Sequence, residues 1–287
     1  MKVLVADSGS TTTNWALISP EKCLMRKDTK GLNPYYLSKQ EIEDTLQQEL
    51  EPFLLKEKNE ITAIYFYGAG CSTVEKQQSM TQCLRVISPN ASIFADHDLT
   101  AAAKSCCGED KGIACILGTG SNSCVYDGNN IVKKAISLGY LLGDEGSGTY
   151  IGKCFLTALL KKRLPDAVEK LVMAQYRLTH EEMIDHLYNK ENPNRFISQF
   201  SPFVSQYVDE FEALHEIVRQ AFKDFIREFI RIFPEANTYP IHFVGSVAYH
   251  LQKILKETLL EEGYENMQRI IQYPIEGLIR YHQQIMA

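Results

Sequence analysis

The sequence of 287 residues lacks several features that would place it in specialised classes. No apolar run reaches the roughly 20 residues that a membrane-spanning helix needs. Basic residues are not in excess, since 30 Lys and Arg stand against 36 Asp and Glu, and the net charge of −6 excludes an electrostatic footprint for nucleic acid. The first apolar run is very short and ends at Asp7, so we expect no secretory signal and a cytoplasmic location.

The cysteines also lack the spacing of a metal site or a disulfide framework. No C-x-x-C pair occurs, and no histidine lies at zinc-ligand spacing. Disulfides are rare in a chain of this length without a signal peptide, so we predict reduced and mostly buried thiols. The eight cysteines are Cys23, Cys71, Cys83, Cys106, Cys107, Cys115, Cys124 and Cys154.

What the chain does contain is an alternation of strand-like and helix-like segments. Residues 2–18 and 112–128 have the pattern of β-hairpins. Apolar spacing of three and four residues predicts a helix over 38–56, and 145–232 is mostly helical in pattern. Further strands are predicted at 61–70, 91–96 and 239–246, and further helices at 73–87, from 99, at 247–262 and from 274. This alternation predicts an α/β protein with largely covered sheets.

Two of the predicted hairpin turns are rich in glycine and hydroxyl residues. The first, "DSGSTTTN", spans Asp7 to Asn14 and carries five hydroxyl residues. The second, "GTGSNS", spans Gly118 to Ser123. Turns of this kind present backbone N–H groups and hydroxyls that bind phosphate oxygens, and Asp7 at a strand end could hold a hydrated Mg²⁺. The alternative is an ordinary polar turn, for which eight residues is long.

Neither turn matches a common nucleotide motif. In the second turn no third glycine follows and a strand comes next, which excludes the dinucleotide fingerprint. The segment "GSGTYIGKC" has one residue too many for a P-loop and places Cys154 where Ser or Thr should bind Mg²⁺.

Three further motifs place polar residues at strand ends or before helices. "FADHDLTAAA" runs from a strand into Asp96, His97 and Asp98, where α/β proteins place ligands, although Asp98 would also make a good helix N-cap. "GDEGSG" holds Asp144 between glycines, where it could accept hydrogen bonds from ligand hydroxyls or cap a turn. "FVGSV" contains Gly245, which would let a ring or phosphate approach the backbone, or is an ordinary βα turn.

The order of these motifs resembles the acetate/sugar kinase, Hsp70 and actin superfamily. "GTGSN" followed about twenty residues later by "GDEGS", with the Asp98 segment before and "VGSV" after, is similar to the N-acetylglucosamine kinase group of the BadF/BadG/BcrA/BcrD ATPase family. The resemblance implies two ribonuclease H-like α/β domains with a cleft between them, and ATP-dependent phosphorylation of N-acetylglucosamine or a related hexosamine. ATP and Mg²⁺ are the implied cofactors. A homodimer is expected, with no nucleic-acid or membrane partner.

The resemblance also implies roles for individual residues. Asp98 matches the catalytic base. The phosphate loops and the adenosine motif match Ser10, Thr11, Thr12, Gly118, Thr119, Gly120, Ser121, Gly245 and Ser246. The sugar contacts match Asn33, Asp98, Thr119, Gly120, Asn122 and Asp144. One departure is Leu138, which stands where glucosamine-type enzymes of the family often carry tryptophan.

The chain length and the proline and glycine breaks predict two domains, residues 1–105 joined by 275–287 and residues 106–274. Two other functions stay open. An ATPase activator of a radical dehydratase shares the fold and holds an iron–sulfur cluster through cysteines near the domain boundary, where Cys106 and Cys107 lie. A non-catalytic ATP-binding regulatory module would not need a base at Asp98.

Overall fold

The structure is a computed structural model that describes residues 1–9 and 11–286. Its strands form two five-stranded sheets. The strands are β1 (Lys2–Ser8), β2 (Thr12–Ile18), β3 (Cys23–Lys30), β4 (Ile61–Gly68), β5 (Ser92–His97), β6 (Gly112–Leu117), β7 (Ser121–Tyr126), β8 (Ile131–Lys134), β9 (Ile241–Val244) and β10 (Met267–Ile271). The sequence-predicted hairpins are confirmed as β1–β2 and β6–β7, while β3, β8 and β10 were not predicted.

The helices fill most of the chain between these strands. They are α1 (Lys39–Thr45), α2 (Glu51–Leu54), α3 (Val74–Leu84), α4 (Asp98–Cys107), α5 (Gly139–Leu142), α6 (Gly148–Leu160), α7 (Asp166–Tyr176), α8 (His180–Asn189), α9 (Pro193–Ser198), α10 (Ser201–Tyr207), α11 (Glu212–Phe225), α12 (Ser246–His250), α13 (Gln252–Glu261) and α14 (Pro274–Met286). Short π-helical segments, Leu46–Leu50 and Ile226–Ile230, follow α1 and α11. Short 3₁₀ segments occur at Lys58–Glu60 and Pro234–Asn237.

The chain divides into two compact units. Unit 1 comprises Met1–Asp110 and Tyr273–Ala287, and unit 2 comprises Lys111–Gln272. The boundaries expected from the sequence, 105/106 and 274/275, each fall inside a helix, α4 and α14. A cut inside a helix would break its hydrogen bonds, which explains why the units divide just beyond α4 and just before α14.

The two sheets have the same strand order and the same strand directions. In unit 1 the order is β3-β2-β1-β4-β5, and in unit 2 it is β10-β9-β6-β7-β8. In each sheet three neighbouring strands pair antiparallel, β3-β2-β1 in unit 1 and β8-β7-β6 in unit 2. Two further strands then pair in parallel beyond β1 or β6. Reading unit 2 from β8 to β10 gives the unit 1 pattern, so the units are structural repeats. The sequence showed no such repeat because the region between β7 and β9 is mostly helical and much longer than its counterpart.

The sheet of unit 1 is covered on both faces. Alternation along β1 places Leu4 and Ala6 in the cluster beneath α1 and α3, and Val3 and Val5 in the cluster beneath α14. The core of unit 2 is one large cluster in which Phe225 and Phe243 are fully buried. These covered sheets confirm the α/β class.

Helix α14 returns to unit 1 and fixes α4, the helix that begins at Asp98. The two helices approach closely at Gly277, where an added Cβ would lie 2.4 Å from the backbone oxygen of Ser105. Arg26 on β3 forms an ion pair with Glu276 on the same helix. The absence of a side chain at residue 277 therefore sets the distance between α14 and α4.

We predict that Gly277→Ala lowers the free energy of unfolding by about 1–3 kcal/mol, because the new methyl group overlaps the backbone of α4. This loss should occur although alanine is the better helix former by about 1 kcal/mol. Urea unfolding measures the change. Arg280→Ala, on the exposed side of the same helix, is the matched control. Equal stability of the two variants would contradict the close contact.

Candidate functional site

In unit 1, the carboxyl ends of three parallel strands gather the predicted acidic residues. Asp7 on β1 pairs with Tyr67 on β4, and Gly68 pairs with His97 on β5. Because β1, β4 and β5 are parallel neighbours, their ends meet at one edge of the sheet. Asp98, the first residue of α4, follows β5 directly. The structure thus brings Asp7 and Asp98 to the same edge.

These two carboxylates influence each other. Loss of surrounding water, and then the negative charge of Asp98, raise the pKa of Asp7 to about 7. Burial, followed by the charges of Asp98 and Asp96, raises the pKa of the nearby Cys71 thiol to about 12. In both cases the negative charge of Asp98 adds to the effect of burial. A cation or a shared proton would relieve this repulsion.

One carboxylate oxygen of Asp98 accepts no hydrogen bond from the described residues. This atom, Oδ1, is buried. His97 Nδ1 lies 2.7 Å from this oxygen, but the same nitrogen accepts the N–H of Leu99 at 3.0 Å. His97 is therefore the N-cap of α4, and the alternative in which Asp98 caps the helix is wrong. Buried acceptors are nearly always satisfied, so this exception points to a function.

The first hairpin turn is shorter than the sequence suggested. Strands β1 and β2 stay paired up to Ser8 and Thr13, and the Gly9 N–H donates to the Thr12 oxygen at 2.9 Å. Thr11 and Thr12 are exposed, as a phosphate contact requires. Ser10 lies outside the described residues.

Asn33 lies in unit 1 on the segment that follows β3. It is buried, and its Oδ1 accepts the N–H of Tyr35 at 2.9 Å. Its side chain packs against Gly70, just beyond the end of β4. The preceding Leu32 donates its N–H to the Ser8 hydroxyl at 3.1 Å. Asn33 is thus tied to the strand ends that carry Asp7.

In unit 2, the turn "GTG" between β6 and β7 is held by the start of α6. The Gly148 N–H donates to the Gly118 oxygen at 2.8 Å, and the Thr149 N–H and hydroxyl donate to the Thr119 oxygen at 3.1 and 2.6 Å. The turn comprises residues 118–120 only, because β7 begins at Ser121. Thr149 was missed by sequence reasoning, although it lies in the segment first compared with a P-loop.

Residues 121 to 123 alternate along β7 and do not share a face. The Ser123 hydroxyl donates to the Phe229 oxygen at 2.5 Å and the Ser121 hydroxyl is buried, so both point inward. Asn122 points to the other face, where its Oδ1 accepts the Ser123 N–H at 2.8 Å. A ligand of this strand would therefore meet Asn122 and not the serine hydroxyls.

Asp144 lies against the same turn. Its backbone has a φ of +57°, and its Oδ1 is 3.5 Å from the Ser121 nitrogen. Its carboxylate packs against Gly120. Burial, more than the charge of Glu145, raises the pKa of Asp144. Ser147 is the N-cap of α6, so Asp144 does not have the capping role considered from the sequence.

A cavity of about 490 Å³ opens beside this turn within unit 2. It is lined by Gly118, Thr119, Gly148, Ser198, Ser201, Pro202, Ser205, Gln206, Ser246, Val247, His250 and Leu251. Gly245, which precedes α12, has a φ of +122°, and an added Cβ would lie 2.2 Å from the Leu117 oxygen. Only glycine permits both the backbone angle and this approach. The structure thus joins "GTG" and "VGSV" around one cavity, while the lining residues of α10 carried no recognisable motif.

The described residues contain no cluster of three or more His, Cys, Asp or Glu side chains arranged to hold a metal. Within the same residues, no helix is both long and apolar enough to cross a bilayer. All eight cysteines lie in the described part of the chain, and none forms a disulfide. Six of them are buried, as predicted, and Cys23 and Cys154 are half-buried.

We predict that Asp7→Asn stabilises the protein at pH 8 but not at pH 4. The pKa of Asp7 is about 7 in the folded state and about 3.9 in an unfolded chain, so the unfolded state loses its proton first as the pH rises. Wild-type stability is thus reduced between about pH 4 and 7, and the reduction is complete above pH 7. The variant should raise the Tm at pH 8 by at least about 2 °C. Thermal unfolding at both pH values measures this, and an equal shift at pH 4 would contradict it.

Comparison with known proteins gives the chain a family. The model of the BadF/BadG/BcrA/BcrD ATPase family matches residues 6–279. A crystal structure from Porphyromonas gingivalis, named provisionally as an N-acetylglucosamine kinase, is 38% identical, has a TM-score of 0.95 and covers 99% of this chain and 100% of its own. A search of functionally curated proteins gave no match.

Two more distant structures share the fold alone. One, from Chromobacterium violaceum, is also named provisionally as an N-acetylglucosamine kinase, with 16% identity, a TM-score of 0.73 and 98% of each chain covered. The other is component A of (R)-2-hydroxyglutaryl-CoA dehydratase from Acidaminococcus fermentans, with 12% identity, a TM-score of 0.54 and 99% and 97% of the two chains covered. The chain belongs to the BadF/BadG/BcrA/BcrD ATPase family and has the two-domain fold of the actin, sugar kinase and Hsp70 ATPases.

Proposed function

We propose that this protein transfers the γ-phosphoryl group of ATP to a hydroxyl of an amino sugar of the N-acetylglucosamine class. Its family and the sugar kinases among its structural neighbours support kinase activity in general. The observation that carries the proposal is the carboxylate of Asp98, which keeps a buried oxygen without a donor at the carboxyl ends of parallel strands. Phosphoryl transfer to an alcohol needs such a proton acceptor.

Asp98 is assigned the role of general base. As the sugar oxygen bonds to the γ-phosphorus, the bond from that phosphorus to the bridging β-phosphate oxygen breaks, and ADP leaves with its electron pair. The hydroxyl proton passes to the Asp98 carboxylate. Because burial and then the charge of Asp98 raise the pKa of Asp7, a cation beside Asp7 would offset this repulsion. Asp7 would hold hydrated Mg²⁺, which when bound supplies neutralisation of phosphate charge.

The nucleotide is assigned to the cavity of unit 2, with its phosphates at the turn. The size of about 490 Å³ lies within the range of small-molecule sites, and Gly118, Thr119 and Ser246 are among the lining residues. The phosphate contacts from this unit are assigned to Gly118, Thr119, Gly120 and the backbone of Ser121. Those from the first hairpin are assigned to Ser10, Thr11 and Thr12.

The sugar hydroxyls are assigned to Asn33, Asn122 and Asp144, beside the backbone of Thr119 and Gly120. Asp144 supports this because burial raises its pKa and the contact that its Oδ1 makes with the Ser121 N–H is long, at 3.5 Å, so hydroxyl donors would stabilise it. Leu138 is 59% exposed and offers no stacking ring, so the acyl contact of the tryptophan-bearing relatives is not assigned here. A homodimer and a cytoplasmic location stay predictions.

The activator of a radical dehydratase is the weaker candidate. An iron–sulfur cluster held between subunits needs cysteine thiolates at a surface. Cys106 and Cys107 are buried inside α4, with exposed fractions of 0% and 4%. The likeness to the dehydratase component is one of fold, which is shared across many functions.

We predict that the wild type releases ADP in the presence of one or more sugars in a panel of hexoses, amino sugars and N-acetylated sugars. Asp98→Asn should fold and bind ATP but lose about 10²–10⁴-fold in kcat, because it removes the proton acceptor and little volume. Coupled ADP assays, ATP titration and Tm measure these three properties. Turnover of the variant within a few-fold of wild type would remove Asp98 from this role.

Asp144→Ala tests the sugar contact. A charge-assisted hydrogen bond contributes about 1.5–3 kcal/mol, so the sugar KM should rise at least about tenfold while the ATP KM stays unchanged. Glu145→Gln is the matched control, since it changes the neighbouring acid and should leave the sugar KM near that of the wild type. A lower Tm of the alanine variant with an unchanged sugar KM would make Asp144 a structural residue.

A further inference from the structure

His97 is an unusual N-cap that faces the proposed base. Ser, Thr, Asp and Asn are preferred at this position, because their side-chain oxygens accept the free N–H groups of the first turn. His97 performs the same task with Nδ1, which accepts the N–H of Leu99 at 3.0 Å. Helix capping alone therefore gives no reason for a histidine between Asp96 and Asp98.

The geometry around Nδ1 supplies a reason. Asp98 Oδ1 lies 2.7 Å from this nitrogen, and the side chains of His97 and Asp98 are 24% and 29% exposed. When Nδ1 accepts the N–H of Leu99, it presents no hydrogen to the oxygen, so two acceptors face each other at hydrogen-bond distance. A proton on Nδ1 removes this conflict, because the ring then donates to Asp98 and gives up its bond to Leu99.

Resting on the proposed function, we propose that His97 is a positioning residue for Asp98, donating a proton from Nδ1 to Oδ1 and leaving Oδ2 free to accept the proton of the substrate hydroxyl. This hydrogen bond fixes the rotamer of the carboxylate. It also satisfies the buried oxygen that the chain otherwise leaves without a donor.

The charges around the pair favour a donor at this position. The negative charge of Asp98 contributes to the raised pKa of Asp7. The charges of Asp98 and Asp96 likewise contribute to the raised pKa of the Cys71 thiol. Asp96 accepts the backbone N–H of His97 at 2.7 Å, which holds the histidine from its other side. In an acidic environment with little water, a donor to one oxygen of Asp98 offsets part of the repulsion.

Two variants separate positioning from capping. Asparagine at residue 97 keeps a capping oxygen for the Leu99 N–H but loses the imidazole, and alanine loses both. We expect kcat to fall between about tenfold and about 100-fold in both His97→Asn and His97→Ala, because the base is no longer held in place. The sugar and ATP KM values should stay within about twofold of wild type. Because a protonated Nδ1 does not accept the Leu99 N–H, neither variant should lose a capping bond, and the Tm of His97→Ala should stay near that of the wild type.

A role in capping alone would give a different result. His97→Asn would then keep the wild-type kcat and Tm, and His97→Ala would lose stability. That outcome overturns the proposal.

A second measurement does not depend on turnover. Long-range ¹H–¹⁵N correlation spectra report which ring nitrogen of a histidine carries hydrogen, and the His97 signals are assigned by their loss in His97→Asn. At pH 7 we expect a protonated Nδ1 in the wild type and a non-protonated Nδ1 in Asp98→Ala, which removes the acceptor oxygen and lets Nδ1 accept the Leu99 N–H. A non-protonated Nδ1 in the wild type overturns the inference. A wild type that phosphorylates no sugar would refute the proposed function instead, and the spectra would still decide the hydrogen bond.

Discussion

The meeting of Asp7 and Asp98 at the carboxyl ends of parallel strands is the constraint around which unit 1 is arranged. Burial of Asp7, and then the charge of Asp98, raises the pKa of Asp7 to about 7, so the ionised pair raises the free energy of the folded state at higher pH. The two residues stay together because β1, β4 and β5 are locked in a parallel register and α4 is fixed by α14. The close contact at Gly277 lies at the far end of α4 from Asp98, and it supports the position of the helix that begins at Asp98.

Unit 2 has the same strand order but carries different residues at its strand ends. Gly118 and Gly245 directly follow β6 and β9. The equivalent strands of unit 1 are β1, which carries Asp7 near its end, and β4. Backbone groups thus take the place of side-chain charge. The turn at 118–120 is not a free loop, because Gly148 and Thr149 hold its carbonyl groups. A held turn of small residues offers N–H groups at a fixed spacing, which is how anions are bound without a buried cation.

The sequence predicted the elements that have strong local signals. Both hairpins, the strand at 61–70 and the helix of Asp98 follow from apolar runs that end at glycine or polar residues. Strands β3, β8 and β10 escaped prediction because their burial is partial and their residues are largely charged or exposed, as in "CLMRKDTK". Such strands form because a neighbour offers free hydrogen-bonding groups, which is a tertiary effect.

The candidate site was predictable to the extent that its residues lie in turns. Gly118 and Gly245 are far apart in the chain, and only the parallel pairing of β6 with β9 brings them together. The sequence motifs identified both Gly118 and Gly245, but no motif pointed to Thr149 or to the serines on α10. The side-chain directions on β7 were not predicted either, because Ser, Asn and Ser are all polar and show no alternation of apolar and polar residues. The pleat of a strand divides it, and places Asn122 opposite the buried Ser121.

The division of labour between the units favours a transfer reaction over simple nucleotide binding. A binding module does not need a proton acceptor at Asp98, and the negative charge of this residue would repel the phosphate groups. An acidic pair such as Asp7 and Asp98 persists where a proton acceptor and a cation ligand are both needed, and its cost is then the price of catalysis. Unit 2, with glycine turns and a cavity lined by serines, can hold a nucleotide without charge of its own. The proposed mechanism therefore assigns the proton transfer to the strand ends of unit 1 and the phosphate contacts mainly to the backbone of unit 2.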